Sequence, residues 1–136
     1  GLATYRAAHC LWNGERHTMA LFLQNRASEV FGVDIHPAAI IAGGVMIDHA
    51  TGVVIGETTT IEKNVSIFQG VTLGGKGFDS GKRHPNIKQG ATVFAASTVL
   101  GNITVGKNSI VAAGSLVLHD VDNNKTVAGV PAKETN

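Results

Sequence analysis

The sequence predicts a mainly β fold, a parallel β-helix built of hexapeptide repeats, with a short helical segment before it. The main observation is an aliphatic residue at every sixth position along three stretches of the chain. The positions are Ile35, Ile41 and Ile47, then Ile55, Ile61, Ile67 and Leu73, and finally Ile87, Val93, Val99, Val105, Val111 and Val117. This spacing fits neither the helical nor the strand period. It is typical of triangular coils that bury one aliphatic residue on each side.

A second observation is that the N-terminal residues follow a different pattern. Residues 2–12 and 19–31 carry apolar side chains at helical spacing, and an Asn-Gly pair between them predicts a turn. Gly32 follows the second stretch in the manner of a helix C-cap glycine. We therefore predict that residues 1–32 are the remnant of a helical N-terminal domain. Residues 33–136 then form the β-helix domain.

The six-residue period is interrupted twice, and function is expected at the interruptions. The step from Ile47 to Ile55 is eight residues, and the step from Leu73 to Ile87 is fourteen. The longer step predicts an extruded loop over residues 74–86 that is polar, glycine-rich and basic. Insertions in a solenoid collect on one face, which is often the binding face. The alternative is a mobile surface loop without a role.

Composition narrows the classes of function. The net charge is +1, so nothing favours nucleic acid or an anionic membrane surface as a partner. The sequence has no apolar run long enough to span a bilayer. The single cysteine, Cys10, cannot form an internal disulfide, which favours the cytoplasm. Because the chain opens without Met inside a predicted helix, we expect a truncated or processed fragment.

Polar residues suited to acid–base chemistry lie beside the interruptions. His36, His49 and His84 are candidates, because histidine is the usual general base near neutral pH. A carboxylate that accepts a hydrogen bond from the second ring nitrogen would orient such a base. Asp34 and Asp48 could both do this for His49. Consecutive strand residues face opposite ways, so Asp34 is favoured unless the backbone bends near His49.

Six short segments together resemble the serine O-acetyltransferases, a family of hexapeptide-repeat acyltransferases. They are Val33-Asp34-Ile35-His36-Pro37, Asp48-His49-Ala50-Thr51-Gly52, Gly56-Glu57-Thr58, Val71-Thr72-Leu73-Gly74-Gly75, Arg83-His84-Pro85 and Ala128-Gly129-Val130-Pro131-Ala132. The resemblance covers residues 5–133. It implies a left-handed β-helix and the transfer of an acetyl group from acetyl-CoA to L-serine, which begins cysteine synthesis.

The resemblance also implies roles for individual residues. His49 matches the general base and Asp34 its carboxylate partner. Asp48 matches the acid that binds the substrate amino group. Arg83 and His84 match the pair near the substrate carboxylate and the reaction centre, so His84 is both a catalytic and a substrate-binding candidate. No metal is implied.

Acetyl-CoA is expected in a groove between neighbouring β-helices, beside the small residues Gly75, Ala95 and Ala113. The segment 94–97, Phe-Ala-Ala-Ser, stands where glycine-rich residues are common in the family. We expect a homotrimer, with a hexamer only when the helical domain is complete. L-cysteine is the expected feedback inhibitor. A complex with O-acetylserine sulfhydrylase is not expected with this C-terminus.

Three alternatives remain open on the sequence. A related acetyltransferase could act on a sugar or xenobiotic hydroxyl, although the charges of Asp48 and Arg83 favour a zwitterionic substrate. A truncated solenoid could serve only as a scaffold. The third alternative is a carbonic anhydrase of the gamma type, which shares this fold and binds zinc through three histidines. Only His36, His49 and His84 could be ligands here, and no two of them are close in sequence as a ligand pair would be.

Overall fold

The computed structural model describes residues 2–77 and 80–135. Two helices precede a series of very short strands. The helices are α1 (Leu2–Asn13) and α2 (His17–Phe31). The strands are β1 (Asp34–Ile35), β2 (Ile40–Ile41), β3 (Met46–Ile47), β4 (Val54–Ile55), β5 (Thr60–Ile61), β6 (Ser66–Ile67), β7 (Thr72–Gly74), β8 (Asn86–Ile87), β9 (Thr92–Val93), β10 (Thr98–Leu100), β11 (Thr104–Val105), β12 (Ile110–Val111), β13 (Leu116–Val117), β14 (Thr126–Gly129) and β15 (Ala132–Glu134).

The strands form three sheets, which are the faces of a triangular prism. The first face has the order β1-β4-β7-β10-β13, the second β2-β5-β8-β11, and the third β3-β6-β9-β12-β14-β15. Every pairing is parallel except that of β14 with β15. Each turn of the chain thus adds one strand to each face, as the six-residue period predicts, except that the last turn adds to the second face only an isolated bridge between Val105 and Val121.

The predicted aliphatic ladder forms the core. From Ile55 to Val117, each ladder residue is at most 2% exposed. Ile47, in the first coil, is only half-buried. A second buried series, two positions before the ladder, was not predicted and includes Val53, Val65 and Val71. Each fully buried Val or Ile side chain contributes about 1.5–3 kcal/mol to stability.

The helical hairpin covers the first coil. Tyr5, Ala8, Ala20 and Ala27 are its buried residues. The Tyr5 hydroxyl donates to the Ala39 carbonyl, which ties α1 to the coil. Gly32 ends α2 in the left-handed conformation, with φ +67°, and its N–H donates to the Ser28 carbonyl. The helices therefore bury the end of the solenoid, which would otherwise expose its core.

Two corners of the prism carry the predicted site residues. The loop corner joins the first face to the second and includes residues 36–39, 56–59, 75–77 and 80–85. The bulge corner joins the third face to the first and includes residues 48–53, 68–71, 94–97 and 112–115. Neither helix of the described ranges is long and apolar enough to cross a membrane.

Candidate active site

The shorter interruption of the period is a two-residue bulge. Met46 pairs with Ser66, twenty residues further on, whereas Val54 pairs with Thr72, only eighteen further on. The corner between these strands is therefore two residues longer in the first coil than in the coil above it. The extra length pushes His49 out of the solenoid, where its side chain is 79% exposed.

The backbone bends sharply at His49, which has a φ of +47°. A non-glycine residue with positive φ is uncommon and often marks a functional turn. The bend brings the side chains of consecutive residues together, with Nε2 of His49 3.6 Å from Oδ1 of Asp48. Asp48 is thus the acid beside His49 within one chain. The Asp34 carboxylate instead accepts a hydrogen bond from Nε2 of Gln24, at 2.7 Å.

Thr58 organises the loop corner. Its hydroxyl oxygen accepts hydrogen bonds from the backbone N–H groups of Arg83 and His84, both at 3.0 Å. Its backbone carbonyl accepts from the Lys82 ammonium. Thr58 therefore makes three hydrogen bonds that hold the end of the extruded loop against the coil below it.

His84 is buried at the same corner, with 7% of its surface exposed. Its Nδ1 accepts from the Thr58 backbone N–H at 3.2 Å and lies 2.8 Å from the Thr58 hydroxyl. Because Nδ1 accepts from an amide, the neutral ring carries its proton on Nε2. Burial, and then the positive charges of Arg83 and Lys82, lower the pKa of His84. A neutral imidazole with an Nε2–H donor is the form favoured at physiological pH.

Arg83 pairs with an acid that sequence reasoning did not select. Its Nη2 donates to Oε1 of Glu57 at 2.7 Å. This hydrogen bond is the main cause of the lowered pKa of Glu57. The carboxylate fixes one edge of the guanidinium and leaves other N–H donors of the fork for a second anion.

His36 belongs to this corner as well. Its Nδ1 accepts a hydrogen bond from the Ala38 backbone N–H at 3.0 Å. Its ring packs edge-on with the Trp12 ring, and the two ring centroids are 5.0 Å apart. Burial lowers the pKa of His36, while the charges of Glu57 and Asp34 oppose the shift. The contact with Trp12 links α1 to the corner that holds Arg83.

The three residues expected beside the coenzyme divide between the corners. Ala95 and Ala113 lie one above the other at the bulge corner, because Thr98 pairs with Leu116. They belong to the same corner of the prism as the bulge that carries His49, in later coils. Gly75 lies at the loop corner, where a Cβ would be 3.0 Å from Nε2 of His84.

Glu57 and Thr58 at the loop corner, and Gln24 on α2, are polar residues that received no predicted role. Glu57 and Thr58 stood in a segment quoted only for its resemblance, and Gln24 had no signal beyond helical spacing. In the described part of the chain, no group of three or more His, Cys, Asp or Glu side chains could hold a metal ion.

A triangular β-helix with an acid–histidine bulge and a basic loop defines a class, the hexapeptide-repeat acyltransferases. No protein-family model matches the chain. Serine acetyltransferase 2 of Arabidopsis thaliana is 59% identical over 132 residues, which are 97% of this chain and 41% of that protein. Serine acetyltransferase of Haemophilus influenzae is 54% identical over 132 residues, which are 97% of this chain and 49% of that protein.

Solved structures give the same result. A serine acetyltransferase in complex with cysteine superposes with a TM-score of 0.98 at 52% identity, covering 99% of this chain and 56% of that one. A serine acetyltransferase in complex with CoA superposes with a TM-score of 0.93 at 50% identity, covering 98% of this chain and 55% of that one. The Neisseria gonorrhoeae serine acetyltransferase in complex with serine superposes with a TM-score of 0.94 at 52% identity, covering 97% of this chain and 54% of that one.

These superpositions confirm the predicted left-handed parallel β-helix. Over the length that it shares with these proteins, the chain belongs to the serine acetyltransferase family. It spans about half the length of the curated relatives that it matches, between 37% and 49%.

Proposed function

We propose that the protein is a serine O-acetyltransferase. It would transfer the acetyl group of acetyl-CoA to the hydroxyl of L-serine, giving O-acetyl-L-serine and CoA, the first step of cysteine synthesis from serine. The observation that carries the proposal is the bulge that presents Asp48 and His49 outside the solenoid, in a chain 59% identical to a serine acetyltransferase. Relatives solved with CoA and with serine support both substrates.

The chemistry follows from the residue types. His49 would accept the proton of the serine hydroxyl as its oxygen attacks the thioester carbon. Asp34 is proposed as the carboxylate that stabilises the resulting imidazolium. Collapse of the tetrahedral intermediate breaks the carbon–sulfur bond, and the departing CoA thiolate takes the proton from His49. Direct transfer in a ternary complex requires no covalent enzyme intermediate.

The charges of the two corners suit a zwitterionic acceptor. Asp48 would bind the ammonium group of serine, and the remaining N–H donors of the Arg83 guanidinium would bind its carboxylate. The neutral His84 carries a proton on Nε2, which is suited to donate to the oxyanion of the intermediate. A sugar has neither charge, so this arrangement disfavours a sugar acceptor.

Acetyl-CoA would lie along the bulge corner, beside Ala95 and Ala113, with Gly75 contributed by the loop corner. Small side chains let the pantetheine arm approach the backbone closely. L-cysteine is proposed as a competitive inhibitor at the serine site, and a relative solved with cysteine supports this. The proposed location is the cytoplasm.

A complete site requires more than one copy of the chain. Asp48 and His49 lie at one edge of the prism, whereas Arg83 and His84 lie at another. We propose a homotrimer in which the bulge corner of one copy faces the loop corner of its neighbour. A hexamer would form only together with a complete helical domain.

The decisive experiment measures thiol release from acetyl-CoA with L-serine, without an acceptor, and with a panel of sugars and amino alcohols. We expect serine-dependent release by the wild type and a loss of at least about 100-fold in His49→Ala, the size of a general-base contribution. His119→Ala, which changes another exposed histidine, is the control and should retain full activity. L-cysteine should raise the apparent KM for serine without lowering kcat.

Turnover with a sugar but not with serine would show that the protein is a related acetyltransferase with a different acceptor. Folded protein that releases no thiol with any acceptor would contradict an enzymatic role. Near wild-type turnover by His49→Ala would show that another group is the base.

A further inference from the structure

Gln24 is the polar member of an otherwise apolar helical stripe. Ala20, Gln24 and Ala27 lie at i, i+4 and i+7 on α2, so they share one face of the helix. Ala20 is 0% and Ala27 8% exposed, and this face packs against β1. Small residues on both sides bring the helix close to the coil. The amide of Gln24 is therefore held at the interface between the helical hairpin and the solenoid.

The amide has one hydrogen-bond partner among the described side chains, the Asp34 carboxylate, at 2.7 Å between Nε2 and Oδ1. Val33 and Ile35 point into the core at 3% and 4% exposure, so Asp34 points outward from β1 towards α2. No other hydrogen bond to the Asp34 side chain occurs within residues 2–77 and 80–135. One carboxylate oxygen is fixed by the helix, and the second is left for another donor.

The type of donor matters. An amide N–H fixes the orientation of a carboxylate without neutralising its charge, whereas an arginine or lysine would pair with it as a counter-ion. An acid whose task is to stabilise an imidazolium needs both a fixed orientation and a full negative charge. Gln24 meets both requirements.

We infer that Gln24 is a positioning residue for acetyl transfer, acting through Asp34. The inference rests on the proposed function, which assigns Asp34 as the partner of the base. It makes the helical hairpin a part of the catalytic apparatus and not only a cover for the first coil.

The test is a double-mutant cycle of Gln24→Met and Asp34→Asn, read as kcat and KM. Met preserves the length and packing of Gln24 and removes its donor. We expect Gln24→Met to lower kcat about tenfold, the effect of one lost charge-assisted hydrogen bond, with both KM values nearly unchanged. In the Asp34→Asn background the same change should cost less than about twofold, because the group it acts through is already lost.

Asn25→Ala, an exposed neighbour on α2, is the matched control and should keep wild-type kcat. An unchanged kcat in Gln24→Met, or losses that multiply in the double variant, would overturn the role of Gln24 while the proposed function stands. An Asp34→Asn variant with wild-type kcat would overturn the assignment of Asp34 and this inference with it. The cycle is run with whichever hydroxyl acceptor the wild type uses, so a wrong acceptor affects the proposed function alone.

Discussion

At the scale of single residues, Gly56 determines where the His84 imidazole can lie. A Cβ on Gly56 would be 2.0 Å from Cδ2 and 2.1 Å from Nε2 of His84. No real Cβ contact is that short, so any other residue at this position would displace the ring. Thr58 holds the ring from one side through Nδ1, and the bare backbone of Gly56 accommodates the other.

Gly56→Ala should therefore damage the site more than the fold. Because the Cβ occupies the place of the ring, the imidazole must rotate away or the loop must lift from Thr58. A displacement of about 1 Å at a reacting group costs on the order of 100-fold in rate. We expect a loss of that order in kcat/KM with serine, while circular dichroism continues to show the β-helix.

Gly43→Ala is the control for this substitution, because a Cβ there meets nothing within 4 Å. It should leave kcat/KM unchanged. Equal activities for the two alanine variants would show that the observed position of His84 is not the one used in catalysis.

Which site residues the sequence could identify depended on their relation to the period. Asp48, His49, Arg83 and His84 stand beside its interruptions, so local pattern was enough to select them. Glu57 received no role because its partner, Arg83, lies 26 residues along the chain. That pairing is created by the stacking of coils, and no local spacing encodes it.

At the scale of elements, the bulge corner is built on a column of left-handed residues. Gly52, Gly70, Ala96 and Gly114 have φ values of 78°, 70°, 59° and 70°. They lie above one another, because Val54, Thr72, Thr98 and Leu116 pair in successive coils. Ala96 is the member with a Cβ, which the left-handed conformation penalises by about 1–2 kcal/mol.

Ala96→Gly should stabilise the protein by about 1 kcal/mol, since relief of this strain exceeds the entropy that glycine adds to the unfolded chain. The measurement is the denaturation midpoint in urea at constant m-value. Ala113→Gly tests the explanation at the same corner, because Ala113 precedes Gly114 and has no positive φ. There glycine brings only its entropic cost, so the midpoint should fall. A fall in both variants would show that Ala96 is not strained.

The fold itself was predicted well because its period depends on burial alone. Each hexapeptide buries one aliphatic residue whatever its other residues do, and Val93, Val99 and Val105 are all 0% exposed. Ile47 departs from the pattern because the first coil has no coil beneath it and depends on the helical hairpin for cover. Ile35 and Ile41 of that coil are buried, at 4% and 5% exposure, whereas Ile47 is only half-buried. The second buried series was missed because serine replaces its aliphatic residues in the later coils, for example at Ser97 and Ser115.

At the scale of the whole molecule, the proposed site residues are divided between two corners of the prism. A prism with faces only a few residues wide separates its edges along every coil, so side chains at different edges diverge. His49 and Arg83 therefore point away from the axis at different edges. Packing copies around a threefold axis brings unlike edges together once for each neighbouring pair. The same symmetry that gives three equal interfaces would give three equal sites.

Subunit complementation tests this arrangement directly. His49→Ala and Arg83→Ala should each be nearly inactive alone, since each removes one half of every site. Co-expressed in equal amounts, the two variants would form mixed trimers under the proposed assembly, and some interfaces would pair an intact His49 with an intact Arg83. At each interface, random assembly supplies an intact His49 from one copy with a chance of one half, and an intact Arg83 from its neighbour with the same chance. About a quarter of the sites are then intact, so activity should recover to about a quarter of the wild-type value. If both residues served one site within a single chain, mixing would restore nothing. Absence of recovery in trimers shown by mass spectrometry to be mixed would therefore contradict a site shared between copies.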